Sequence, residues 1–299
     1  MAPDTVLPPD RLPPTHERSA LRAGQPSRTA LAAAGHRAAH QVLEGGALFS
    51  DPLAVRILGS DADAALRDAP TEGFARALRL FVALRSRLAE DALADAVTRG
   101  TRQLVILGAG LDTYAYRSPF ADRLHVFEVD HPATQAWKRD KLWAAAIAPP
   151  ATLTFAPVDF EQQTLAEGLA AAGFNERDHA FFTWLGVVPY LTDDAVFATL
   201  AYIAKLPGGA GIVFDYANPA AAVSGPARAG HEALAARVAV AGEAFRSAFD
   251  TDALCSRLAQ LGFRKIEDFG PRQLAARFWP ARAGAASDRG GHILRASTI

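Results

Sequence analysis

An apolar run that stops at a pair of glycines constrains the fold of this chain more than any other feature. Leu104 to Leu107 are four consecutive apolar residues, and Gly108-Ala109-Gly110 follows at once. A short run without polar alternation is typical of a strand that is buried on both faces. After Gly100, runs of this kind alternate with helical patterns, which predicts a parallel sheet with helices on both faces.

Seven strands are predicted in this part of the chain. They cover residues 104–107, 125–129, 152–158, 180–184, 212–216, 263–269 and 292–296, with helices over 133–146, 193–204 and 230–261. No helix-length connector is recognised between the last two strands, so we expect an antiparallel hairpin at the sheet edge. The predicted fold class is therefore α/β, with a doubly wound, mostly parallel, seven-stranded sheet.

The chain before Gly100 has a different pattern. Apolar residues recur there at three- and four-residue spacing, as in Phe74, Leu78, Phe81, Leu84 and Leu88. This spacing predicts helices and no strand. We expect residues 29–100 to form a helical cap on an α/β core of residues 101–299, together making a single domain. Residues 1–28 are polar and rich in proline, which predicts a disordered arm.

Charge and composition exclude several classes of function. The 31 basic and 32 acidic residues give a formal net charge of −1, so nothing draws the whole chain to nucleic acid or to an anionic membrane. A single cysteine, Cys255, excludes an intrachain disulfide and a multi-cysteine metal site, and no metal is predicted. Residues 1–28 contain no apolar run that resembles the core of a signal peptide, and no stretch approaches the roughly 18 apolar residues that a membrane span needs. We expect a soluble cytoplasmic protein.

The first strand-to-helix turn is the best candidate for a ligand site. In doubly wound sheets, ligands bind at the carboxyl ends of the strands, where the strand order reverses. The turn Gly108-Ala109-Gly110-Leu111-Asp112-Thr113 is expected there. Its glycines would let the backbone approach a ligand, and its amides would donate hydrogen bonds. A tight turn needs glycine in any case, so this pattern alone also fits a purely structural loop.

Carboxylates follow the next two predicted strands. Glu128 and Asp130 close the second strand, and Asp159 follows the third in Val158-Asp159-Phe160. A carboxylate at the first position can accept both ribose hydroxyls of an adenosine, and one at the second can bracket the adenine amino group. The alternatives are a solvated acidic pair that caps the next helix, and a helix N-cap at Asp159. The two positions together favour an adenosine ligand.

The loop also distinguishes between adenosine cofactors. A dinucleotide fingerprint has a third glycine that lets the helix pack beneath a pyrophosphate, and this chain has Thr113 there. Asp112 adds a negative charge that would repel a pyrophosphate but would attract the ammonium group of a methionine moiety. The electrostatics therefore favour S-adenosylmethionine over NAD.

Three blocks of the sequence resemble the leucine carboxyl methyltransferase family, and especially its bacterial branch of O-methyltransferases. They are LGAGLDT at 107–113, FEVDHPATQAWK at 127–138 and WLGVVPYLT at 184–192. Segments at 29–30, 37–39, 51–54 and 85–87 also follow the family, so the resemblance runs from about residue 29 to 299. It implies a class I methyltransferase fold and S-adenosylmethionine as the cofactor.

The resemblance also implies the residues that hold this cofactor. From the methionine carboxylate to the adenine they are Arg85, then Gly108, Gly110 and Asp112, then Glu128 or Asp130, then Asp159 and Phe160. Arginine binds a carboxylate through two parallel hydrogen bonds, although Arg85 lies in an arginine-rich helix and could also be a surface residue. Tyr190 is the candidate catalytic residue, near the acceptor, or else a packing residue. Leu185 departs from the family, in which many members have glutamate.

The expected function is O-methylation of a carboxylate or hydroxyl group on a small molecule. A carboxylate is ionised at neutral pH and needs no base, whereas a hydroxyl would need one. The alternatives are methylation of a protein C-terminal carboxylate, an NAD-dependent oxidoreductase, and a silent protein that only binds the cofactor. Nucleic-acid methylation is disfavoured, because Val187-Val188-Pro189-Tyr190 stands where amino-methylating enzymes have Asn or Asp before Pro-Pro.

Overall fold

A seven-stranded sheet lies at the centre of the computed structural model, which describes residues 27–160 and 162–299 apart from the side chains of Pro226, Arg282 and Ala285. The strands are β1 (Gln103–Leu107), β2 (His125–Asp130), β3 (Leu153–Pro157), β4 (Ala180–Trp184), β5 (Ala210–Ala217), β6 (Lys265–Phe269) and β7 (Gly291–Ser297). Their order is β3-β2-β1-β4-β5-β7-β6, and β7 alone runs antiparallel to its neighbours. The predicted fold class is confirmed.

The cap is helical, as predicted. It contains α1 (Arg28–Leu43), α2 (Ala54–Leu58), α3 (Asp61–Arg67) and the 26-residue α4 (Gly73–Thr98). The hydroxyl of Ser27 accepts a hydrogen bond from the Ala30 amide and so caps the start of α1. The predicted disordered arm otherwise lies outside the described residues, because only its last two residues are described.

Six α-helices follow β1 in the described residues. They are α5 (Pro132–Ala144), α6 (Leu165–Ala171), α7 (Asp193–Ala204), α8 (Gly225–Val240), α9 (Thr251–Leu261) and α10 (Pro271–Phe278). The single helical tract predicted over 230–261 is thus two helices. The chain leaves α8 through Gly242 at φ +84°, and the Asp250 carboxylate caps α9 by accepting the amides of Asp252 and Ala253.

The predicted hairpin at the sheet edge is wrong in its connection. The strands β6 and β7 do pair antiparallel, but β7 lies between β5 and β6, and α10 connects the two. Ile293 and Leu294 are buried on opposite faces of β7, so this strand is stable only inside the sheet, whereas β6 is half exposed at the edge. The connector has little apolar periodicity, since α10 buries only Leu274 and Ala275.

Each face of the sheet is covered by helices. The helices α6, α7 and α9 pack on one face, and α4 and α10 pack on the other. On the second face Leu84 and Leu88 of α4 join Leu104, Ile106 and Val213 of the sheet. The cap helix α4 is thus itself a layer of the fold, which brings its side chains to the strand ends. In the part of the chain that the structure describes, no helix has the length and apolar character needed to cross a membrane.

Candidate active site

The glycine loop after β1 lies in close contact with two other segments. Gly108 and Gly110 have φ angles of +64° and +44°, a region that residues with a side chain rarely adopt. A Cβ atom on Gly108 would lie 2.4 Å from Cγ2 of Val187, and one on Gly110 would lie 2.9 Å from Cβ of Ala30. Both glycines are therefore required by the backbone conformation and by the space around them.

Asp130 holds this loop from the end of β2. One of its carboxylate oxygens accepts the Gly110 amide at 2.6 Å, and the other accepts the His131 amide at 2.7 Å. Burial raises the pKa of Asp130, and the two amides oppose that rise. Each oxygen keeps a further lone pair, so the carboxylate can accept hydrogen bonds from a ligand beside the loop.

Glu128 lies two residues deeper in β2 and has a different environment. Its side chain is 0% exposed, and its Oε2 is 2.7 Å from Nζ of Lys138, without the alignment of a hydrogen bond. Its Oε1 has no hydrogen-bond partner among the described residues. Burial raises the pKa of Glu128 to about 7, although the Lys138 ammonium group opposes the rise. The alternative of a solvated acidic pair is therefore wrong for Glu128.

The cap holds the glycine loop from the other side. Arg37 of α1 donates from Nη2 to the Leu111 carbonyl at 2.6 Å and from Nε to Asp51 at 3.1 Å. The other oxygen of Asp51 accepts the Thr113 hydroxyl at 2.8 Å. All three polar side chains are buried. The sequence did not identify Arg37 and Asp51 as site residues, although the family resemblance covers both segments.

Arg85 reaches the same end of the sheet from α4. It is 9% exposed, and its Nη1 donates to Oδ2 of Asp215 in β5 at 2.9 Å. Ile106 lies opposite Thr183, and Thr183 lies opposite Val213, so Asp215 is level with Gly108. The alternative in which Arg85 is a surface residue is therefore wrong. Asp215 was missed because a single acid in an apolar strand gives no signal of its own.

Tyr190 lies beside Arg85 in a 3₁₀ turn over Val188–Tyr190 that follows β4. Its ring centroid is 5.3 Å from that of Phe245. Burial raises the pKa of Tyr190 to about 12, with the Arg85 guanidinium opposing the rise. The phenol is therefore protonated at neutral pH.

His36 of α1 is a further residue of this region that the sequence did not indicate. Burial, together with the neighbouring guanidinium groups of Arg85 and Arg237, lowers the pKa of His36 to about 4. The imidazole is therefore neutral at physiological pH. A lone histidine in a helix has no sequence signal, and only the fold brings the arginines of α4 and α8 close to it.

Asp159 and Phe160 follow β3. The Asp159 carboxylate accepts from Nε2 of Gln162 at 2.6 Å, and Phe160 is 61% exposed. The N-cap alternative for Asp159 is wrong, because Thr164 caps the next helix in a capping box with Glu167. Asp112 lies in the glycine loop itself, where one carboxylate oxygen accepts the Tyr114 amide at 2.7 Å.

Comparisons with known proteins agree on one family of methyltransferases. The family model described as leucine carboxyl methyltransferase matches residues 30–204. YktD of Bacillus subtilis (strain 168), assigned to the S-adenosyl-L-methionine-dependent methyltransferases, is 34% identical over 200 residues, which are 66% of each chain. A protein of Parafrankia sp. (strain EAN1pec) with the same assignment is 31% identical over 196 residues, 64% of this chain and 62% of the relative. The chain thus spans less than two thirds of the length of these relatives.

A solved structure with a similar fold is the magnesium protoporphyrin IX methyltransferase ChlM from Synechocystis PCC 6803 with bound SAH. It is 11% identical, the alignment covers 83% of this chain and 98% of that one, and the TM-score is 0.46. This likeness is too distant to support an inference about activity. The family match, in contrast, covers more than half of the chain and includes both the cap and the glycine loop. The chain belongs to the leucine carboxyl methyltransferase family.

Proposed function

We propose that the protein is an S-adenosylmethionine-dependent O-methyltransferase that methylates a carboxylate group of a small molecule. The observation that carries the proposal is the meeting of three features at one end of the sheet in a member of this family. These features are a glycine loop with positive φ angles, a carboxylate at the end of β2, and a buried arginine from the cap.

The residues around the loop fit the amino-acid end of the cofactor. Arg85 donates only one hydrogen bond to a described side chain and keeps further donors for a carboxylate. Asp112 uses one oxygen on the Tyr114 amide, and we expect its other oxygen to accept from the ammonium group. Gly108 and Gly110 would let the cofactor approach the loop backbone, because neither has a side chain.

The ribose and the adenine fit the ends of the next two strands. Of the two acids in β2, Asp130 is the one that we expect to accept the ribose hydroxyls, because it is at the strand end and borders the loop. Glu128, in contrast, is buried together with Lys138 in the interior. Phe160 offers an exposed ring on which an adenine would stack, and Asp159 lies next to it.

The protein's part in the reaction is to orient the acceptor relative to the cofactor and to exclude water from the reacting groups. The bound cofactor supplies a methyl group that its sulfonium already activates, so in-line placement of the acceptor accounts for most of the rate. Tyr190 would donate a hydrogen bond to the acceptor, since its raised pKa keeps the hydroxyl protonated. No proton has to leave a carboxylate acceptor when its oxygen takes the methyl group.

The electrostatics favour a carboxylate over a hydroxyl acceptor. A phenol or an alcohol would need a base, and neither neighbouring group is suited to that role near neutral pH. Tyr190 is protonated, and the low pKa of His36 makes its imidazole a weak base. The arginines that lower the pKa of His36 would also attract an anion. The choice of a small molecule over a protein C-terminus is supported only by the resemblance to the bacterial branch.

The experiment uses S-adenosylmethionine labelled in the methyl group, with separate panels of small carboxylic acids, phenols and peptides with a free C-terminus. Methyl esters release labelled methanol in mild base, whereas methyl ethers do not. We expect base-labile label in the panel of small acids. Base-stable label in phenols would contradict the carboxylate acceptor, and base-labile label in peptides alone would favour the protein C-terminus.

A further inference from the structure

We infer that Asp215 and Gly186 are positioning residues that hold the Arg85 guanidinium ready for the cofactor carboxylate. This inference rests on the proposed function, because it presupposes that Arg85 binds this carboxylate. Asp215 lies in the middle of the sheet, Gly186 follows β4, and Arg85 comes from α4, so three separate elements meet at one side chain.

Asp215 connects the other two residues. It is 4% exposed, and its two oxygens have different partners: Oδ2 accepts Nη1 of Arg85 at 2.9 Å, and Oδ1 accepts the Gly186 amide at 2.6 Å. The carboxylate thus fixes the guanidinium relative to the backbone after β4. A neutral asparagine cannot replace it, because its amide has one acceptor oxygen for two donors.

Gly186 provides the surface on which the guanidinium lies. Its φ angle is +72°, and a Cβ atom there would lie 2.5 Å from Nη2, 2.9 Å from Nη1 and 3.0 Å from Cζ of Arg85. Any side chain at this position would displace the guanidinium. The absence of a side chain at Gly186 therefore sets where the group sits, and the Asp215 carboxylate sets its orientation.

A fixed guanidinium helps to bind a carboxylate in two ways. A free arginine side chain loses considerable rotamer entropy when a ligand immobilises it, and this cost is removed when the side chain is already fixed. The bond to Asp215 also leaves Nη2 and Nε of Arg85 without a side-chain partner among the described residues, at the level of Gly108. Asp215 and Gly186 act through Arg85 and need not touch the ligand.

A purely structural role would also fit the same contacts, since they join the cap to the sheet. The two roles differ in which ligands are affected. S-adenosylhomocysteine has the amino-acid carboxylate, and 5′-methylthioadenosine has the same adenosine without it. If Asp215 and Gly186 position Arg85, their replacement should lower the affinity for S-adenosylhomocysteine alone. A loosened cap would lower the affinity for both ligands.

The experiment titrates both ligands into the full-length wild type, Asp215→Asn and Gly186→Ala, after thermal unfolding has shown that each variant is folded. Gly173→Ala is the control for Gly186→Ala, because Gly173 has φ +84° with nothing within 4 Å of its Cβ position. Glu44→Gln is the control for Asp215→Asn, because Glu44 binds Arg79 of the same helix α4 through two hydrogen bonds.

We expect Asp215→Asn and Gly186→Ala to weaken the binding of S-adenosylhomocysteine by roughly tenfold and the binding of 5′-methylthioadenosine by less than about twofold. The affinities of the control variants for both ligands should stay at the wild-type values. In an Arg85→Ala background, Asp215→Asn should cause no further loss. An unchanged ratio of the two affinities in both variants, or a further loss in that background, would overturn the inference. Binding of neither ligand to the wild type would instead refute the proposed function, and this inference with it.

Discussion

Replacement of Lys138 by methionine tests the buried pair beneath the proposed ribose site. Lys138 and Glu128 are 1% and 0% exposed at the side chain, and the ammonium group is 2.7 Å from Oε2. Methionine keeps most of the length of the lysine side chain and its apolar character, but it removes the charge. The variant thus leaves the Glu128 carboxyl group in a fully buried site without the ammonium group that lies beside it in the wild type.

The cost follows from the burial of Glu128. Removal of one partner of a buried ion pair destabilises proteins by about 3–5 kcal/mol, because the remaining charge stays out of water. Protonation of Glu128 relieves this cost. Burial already raises its pKa from 4.5 to about 7, and Lys138 is the main group that opposes the rise. Without Lys138 the pKa rises further, so the carboxyl group stays neutral to higher pH.

The sign of the pH dependence follows by linkage. A carboxyl group whose pKa is raised in the folded state keeps a proton that the unfolded chain has lost, so stability falls as the pH rises through that range. In Lys138→Met this fall continues above the wild-type pKa of about 7. We therefore expect Lys138→Met to lose the full amount of about 3–5 kcal/mol from its free energy of unfolding at about pH 8.5, and clearly less at about pH 5.5.

Urea denaturation at both pH values measures these differences directly. The control is the double variant Glu128→Gln, Lys138→Met, which removes both charges and should be more stable than Lys138→Met at the higher pH. A loss below about 1 kcal/mol at both pH values, or a loss that does not change with pH, would refute the role assigned to this pair.

Three further predictions concern the cofactor and the acceptor. In calorimetry, Asp130→Asn should weaken the binding of S-adenosylhomocysteine by about 1.5–3 kcal/mol, and this loss should exceed the loss in Glu128→Gln. A larger loss in Glu128→Gln would place the ribose on Glu128. Phe160→Ala should weaken the binding of the same ligand by about 0.5–1.5 kcal/mol, and an unchanged affinity would mean that the ring does not stack on adenine. Tyr190→Phe should lower kcat about tenfold or more, unlike the control Tyr202→Phe; equal rates in both variants would remove Tyr190 from the acceptor site.

The sequence predicted the sheet because the information is local. Each strand from β1 to β5 is a short, mainly apolar segment, and the positive φ angles at Gly108 and Gly110 bear out the expected turn. The helix α10 was missed because it buries only two apolar residues. The position of β7 was missed because strand order depends on contacts between distant segments.

The polar contacts of the candidate site were harder to predict for the same reason. Arg85 and Asp215 are 130 positions apart, and Arg37 reaches the Leu111 carbonyl across 74. No periodicity connects such pairs. Asp215 is a single acid in an otherwise apolar strand, and its role is visible only when α4 crosses that face of the sheet. The family resemblance supplied Arg85, but not the residues that hold it.

Calorimetric titration of the full-length protein with S-adenosylhomocysteine and, separately, with NAD tests the central claim most directly. Asp112 and the absence of a third glycine at Thr113 favour a methionine moiety and disfavour a pyrophosphate. We predict saturable, one-to-one binding of S-adenosylhomocysteine and no measurable binding of NAD. Binding of NAD more tightly than S-adenosylhomocysteine would contradict the assignment of this chain as a methyltransferase.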